Sequence, residues 1–168
     1  METINPLEQN KSRHWIVPAL LVMGMFIVIV KTILCLRGYW EWFEVAGWEF
    51  EPLTYRKGVP ETYKAVKTDI FLLMVVALVS GACLLFFFVR MLMWKKSGFL
   101  GFAITMAVTA VTNLILAHLI CNGFAQIEVE IGKVRPVLQL LCTALTTISV
   151  WAVLQIRKDG VSCWRQME

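Results

Sequence analysis

The stretch Gly98–Ile120, GFLGFAITMAVTAVTNLILAHLI, decides the fold class. It contains no Asp, Glu, Lys or Arg, and a bilayer-spanning helix needs about 20 consecutive apolar residues. At helical spacing Ala103, Ala107, Ala110, Leu114 and Ala117 share one face. Lipid offers helices no hydrophobic drive to associate, so small residues are where they approach closely. This row is therefore the expected packing face, with Asn113 and His118 on either side of it.

Working outward, three further apolar segments have similar length: 15–36, 69–94 and 136–156. Pro18 and Pro136 fall in first turns, where a missing N–H costs nothing. The 168-residue chain is 58% hydrophobic and 17% charged, against roughly 45–50% and 25% in soluble domains. The pattern predicts an all-α membrane protein, a four-transmembrane-helix bundle. The first segment is too long for a signal-peptide core and has no small-residue cleavage site after it, so it is expected to remain as an anchor.

The connections are unequal. Residues 1–14 form a polar tail whose Asn10-Lys11-Ser12 sequon falls on the predicted cytoplasmic side. Residues 37–68 are expected to form an outer loop in which Tyr39, Trp40, Trp42, Phe43, Trp48 and Phe50 alternate with Glu41, Glu44, Glu49 and Glu51. Such a mixture suits the headgroup level or a partner-docking face. Residues 95–97 make a tight basic inner turn, 121–135 a second outer loop and 157–168 a terminal tail. Lys11 and Arg13, Arg90, Lys95 and Lys96, and Arg157, Lys158 and Arg165 all fall on one side of the predicted spans. Basic residues favour the cytoplasmic side, so both termini are expected in the cytoplasm and the chain in the plasma (inner) membrane.

No catalytic constellation emerges. An intramembrane aspartic protease needs two adjacent carboxylates, but Asp69 and Asp159 are expected at opposite sides. A thiol oxidase needs a reactive cysteine pair, commonly CxxC, and Cys35, Cys83, Cys121, Cys142 and Cys163 contain none. Cys35 and Cys121 are placed near the same side and remain a candidate disulfide. No Cys/His spacing matches a zinc site, and neither a cofactor nor nucleic-acid binding is expected. The layout resembles that of claudin-like proteins, whose first outer loop carries a Trp, a Gly-Leu-Trp and a cysteine pair. Here Gly47-Trp48 is followed by Glu49, and no cysteine lies in the loop, so no family is assigned.

Polar residues inside the spans are the remaining signal, because they are expensive in lipid and tend to face one another or a wet cavity. Lys31, Asn113, His118, Gln139, Thr143 and Thr146 form the candidate intramembrane site. Lys31 is expected to snorkel to the interface or meet a polar partner. Candidate partner surfaces are Trp40, Trp42 and Trp48 on one side and Lys95, Lys96, Arg157 and Lys158 on the other. The expected function is a non-enzymatic, self-associating anchor or sensor subunit for a partner protein, in contact with membrane lipid. The alternatives are a pore or channel subunit with a polar path along the third and fourth spans, and an immunity or regulatory protein that blocks a toxin or channel.

Overall fold

A computed structural model describes residues 15–50, 59–125, 134–158 and 161–167. Four long helices run up and down: α1 (Ile16–Phe50), α2 (Val59–Leu92), α3 (Lys96–Ala125) and α4 (Val134–Leu154). A two-stranded hairpin, β1 (Arg157–Lys158) and β2 (Val161–Ser162), and a short helix α5 (Cys163–Gln166) close the chain. The helix α1, α2 and α3 are each long and apolar enough to cross a membrane. These elements fit a membrane protein built as a helical bundle. In α4 the apolar run among the described residues is shorter, Leu141–Leu154.

The expected outer loop 37–68 is largely helix. Residues 37–50 continue α1 without a break, and Val59–Thr68 already belong to α2. At 1.5 Å per residue α1 is about 52 Å long, well beyond the roughly 30 Å of a hydrocarbon core. The physical reason is amphipathicity at helical period. Tyr39, Trp42, Phe43, Ala46 and Phe50 turn inward, while Trp40, Glu41, Glu44, Trp48 and Glu49 turn outward. Gly38 and Gly47 do not interrupt the helix, since tertiary packing outweighs their cost of about 1 kcal/mol each.

Two apolar clusters hold the bundle. At the basic end, Val17, Leu21, Phe88, Met91, Phe102 and Leu154 pack together. At the aromatic end, Ala46, Phe50, Val66, Ile70, Ile120 and Phe124 form the second cluster. Helix α3 packs most heavily on α2, α2 on α1, and α4 leans on α3 with only light contact to α1.

The packing face of α3 keeps only part of the predicted alanine row, Ala110 and Ala117. Phe102, Met106, Ala110, Asn113, Ala117, Ile120 and Phe124 are buried, whereas Ala107 and Leu114 are exposed. The face is rotated because large side chains fill the clusters, and close approach comes from glycines of α3. Gly98 lies against the Met91 backbone, Gly101 under the Phe87 ring and Gly123 against Val66.

The turn between α2 and α3 is a Schellman motif. The N–H of Lys95 donates to the Arg90 carbonyl (3.1 Å) and that of Trp94 to the Met91 carbonyl (2.9 Å). Trp94 takes the left-handed position with φ 58°, which costs a non-glycine residue about 1–2 kcal/mol. Its side chain is buried, and that packing offsets the cost. Arg90 spans the turn, its Nη2 donating to Ser97 Oγ at 3.0 Å.

Residues 157–168 were expected as a tail, yet their described part folds back on the bundle. Arg157 pairs with Ser162 and Lys158 with Val161. Cys163 and Met167 are buried in the basic-end cluster. Phe99, Trp151 and Trp164 then form a triangle with ring centres 5.1–5.7 Å apart. The aromatic residues of three elements supply the apolar area that a polar tail would lack.

Candidate functional site

Between the two apolar clusters lies a polar layer. Its cavity, about 40 Å³, is lined by Lys31, Thr32, Ser80, Thr109, Asn113 and Thr143 among others. The layer draws on all four helices, each presenting a polar residue to a cavity that Val28, Leu84 and Met106 of the basic-end cluster also line.

Two hydroxyls of the layer are satisfied locally. Thr32 Oγ1 donates to the Val28 carbonyl at 2.8 Å and Ser80 Oγ to the Ala77 carbonyl at 3.2 Å. Such bonds to the preceding turn are the usual way a helix accommodates Ser and Thr in an apolar setting. They also leave the hydroxyl oxygens as acceptors. Asn113 is only 6% exposed, and its Oδ1 is buried with no hydrogen-bond partner among the described residues. An orphaned buried acceptor costs about 1–3 kcal/mol, so it marks a place where a donor belongs.

Lys31 is half-buried and lies at a junction. It lines the polar cavity, a groove of about 190 Å³ along α1 and α4 that Leu84, Phe88 and Met106 also line, and a more open depression beside Phe26 and Leu34. No ion pair of Lys31 forms among the described residues. Lys31 therefore borders one polar space and two apolar ones.

The predicted site residues divide. Lys31, Asn113 and Thr143 come together in the cavity. Thr146 does not; it lines the α1–α4 groove, and its hydroxyl donates to the Cys142 carbonyl at 2.7 Å. His118 is exposed on the opposite flank of α3 and pairs with Asn122 at 3.2 Å. Gln139 belongs to α4, but its side chain lies outside the described residues. Thr32, Ser80 and Thr109 were missed. Each is a neutral hydroxyl in an apolar run, and only their place beside Asn113, Thr109 one turn before it on α3 and Thr32 and Ser80 on the neighbouring helices, distinguishes them.

The predicted partner surfaces also divide. Trp48 is 80% and Trp40 56% exposed, with Trp40 Nε1 donating to Glu44 at 2.9 Å. Trp42 packs instead against the aromatic-end cluster. Lys67 reaches over the rings of Phe43 and Tyr63, 4.8 and 4.6 Å from their centres, tying α2 to α1. Lys95 is exposed and Lys96 half-buried at the opposite end. Arg157 and Lys158 form β1, and their side chains lie outside the described residues.

All five cysteines are thiols, and no disulfide joins Cys35 to Cys121. Among the described residues no cluster of three His, Cys, Asp or Glu could hold a metal ion. Fold and site together define a helical bundle with candidate membrane spans around a small polar layer. No protein-family model matches this chain, and comparison with curated proteins and with solved structures finds no match.

Proposed function

We infer that this chain is a non-enzymatic integral membrane subunit that anchors a partner through its aromatic end. The observation that carries this reading is the continuation of α1 and α2 as paired helices past the length a bilayer needs. Their outward stripe, Trp40, Glu41, Glu44, Trp48 and Glu49, is exposed, and it is backed by the buried aromatic-end cluster. Exposed tryptophans beside carboxylates suit a partner that presents basic and apolar groups, since Trp is the best cation–π acceptor and a frequent interface anchor.

The topology belongs to the same proposal. At 21 residues α4 is about 31 Å long, close to the roughly 30 Å of hydrocarbon, which favours a four-span bundle. The basic residues near both termini and in the α2–α3 turn favour a cytoplasmic basic end in the plasma membrane. The aromatic platform then stands on the outer side. A conducting path draws less support. The hydroxyls of Thr146, Thr147 and Ser149 donate to carbonyls of their own helix, so the α4 stripe does not require water beside it.

The test is the mass of the protein in nanodiscs together with whatever copurifies from its native membrane. A stoichiometric companion lost in Trp40→Ala/Trp48→Ala, with the helical content intact, supports the anchor. A closed homo-oligomer whose ion flux falls in Thr146→Leu would overturn it in favour of a pore.

A further inference from the structure

The groove between α1 and α4 and the polar cavity are two parts of one amphipathic pocket, and we propose that it binds a single long-chain fatty carboxylate. Val28, Lys31, Leu84 and Met106 line both spaces. The apolar part follows Leu20, Met23, Gly24 and Ile27 along α1 and faces Thr146 and Ser149 on α4. From Leu20 to Lys31 it runs about 16 Å along the helix, the reach of one extended alkyl chain. The light contact between α1 and α4 leaves this groove open to lipid along its side.

The head of the ligand is specified by charge. Lys31 supplies an ammonium with no counter-ion among the described residues, in a setting where an unpaired charge is costly. Its three N–H groups can serve a carboxylate and also the orphaned Asn113 Oδ1. Thr32 Oγ1 and Ser80 Oγ, which donate to their own helices, keep acceptor capacity in the same cavity. A cationic or neutral head would leave Lys31 uncompensated. The groove follows one path, Leu20 to Lys31 on α1 with α4 opposite, and Leu84, Phe88 and Met106 of α2 and α3 also on its wall. Such a path takes one chain rather than the paired chains of a bilayer phospholipid. This site stands on geometry at mid-bundle and is independent of the proposed partner platform.

The experiment uses the full chain in nanodiscs of zwitterionic lipid with a photoreactive palmitate analogue, and maps the adducts by mass spectrometry. Adducts are expected on residues 20–31 and 146–153, displaced by palmitate but not by hexadecanol. Lys31→Met should lower labelling about tenfold, the scale of a lost charge-assisted hydrogen bond, and Lys31→Arg should retain most of it. Ser149→Phe, on the exposed wall, should block the groove without touching Lys31, so a folding defect in either variant alone leaves the test decisive. Equal competition by hexadecanol would overturn the proposal. So would adducts spread equally over the α2–α3 outer face at Val75, Val79, Ile104 and Val108, or cross-links to a second copy in the groove.

Discussion

Phe50, the last residue of α1, meets Phe124, next to the end of α3, edge to face with ring centres 5.2 Å apart. Tyr63 of α2 stacks on the same Phe50 ring at 5.6 Å. One aromatic contact thus locks three helix ends together. Phe50→Ala is expected to cost about 3–5 kcal/mol, the usual range for a buried Phe. Hydrogen exchange should show protection lost over residues 39–50 while 16–36 stay protected. Uniform exchange along α1 would mean that the extension has no stability of its own.

Trp94 allows two opposing terms to be separated. Trp94→Ala removes the buried ring and keeps the left-handed strain, whereas Trp94→Gly removes both. The glycine variant should therefore be the more stable by about 1 kcal/mol, read from thermal unfolding of the two in the same detergent. The reverse order would show that the turn does not keep φ near 58°.

Gly98 and Gly38 should respond in opposite directions. A Cβ at Gly98 would lie 2.6 Å from the Met91 backbone nitrogen and 2.9 Å from the Phe87 carbonyl oxygen, and backbone cannot yield cheaply. Gly98→Ala is expected to open the α2–α3 contact and lower the melting temperature steeply. At Gly38 nothing lies within 4 Å, so Gly38→Ala should raise stability by about 0.5–1 kcal/mol through helix propensity. Parallel melting curves decide it.

Asn113→Leu replaces an orphaned acceptor by an apolar group of similar size. Removing an unsatisfied buried polar atom relieves a penalty of about 1–3 kcal/mol, so the apo protein should become equally or more stable. A clear loss of stability in the ligand-free protein would show that Asn113 already holds a bound donor, such as an internal water.

What the sequence determined by itself is the helical, membrane-type character of the chain. Long apolar runs without charges, Gly98–Ile120 above all, have no other economical conformation in lipid, where every backbone group must be satisfied within its own helix. Lys31, Asn113 and Thr143 were also legible as a polar group, because intramembrane polarity stands out against such a background. The helical period of Tyr39, Phe43, Ala46 and Phe50 was equally present. Aromatics mixed with acids and two glycines nevertheless read as a loop until α2 and α3 supplied the surface that buries them.

Only the tertiary structure decided which face of α3 packs, which hydroxyls surround Asn113, and that Cys163, Trp164 and Met167 return to the bundle. Helical spacing defines a set of possible faces, and neighbours choose among them. In lipid the small and the large side chains of α3 are equally content on the outside. The choice fell to shape: Phe102 and Met106 fill space that alanines would leave empty, and Gly101 and Gly123 receive Phe87 and Val66 of α2. The meeting of an open groove with a polar cavity at Lys31 is a property of four helices together, and no single stretch of the chain encodes it.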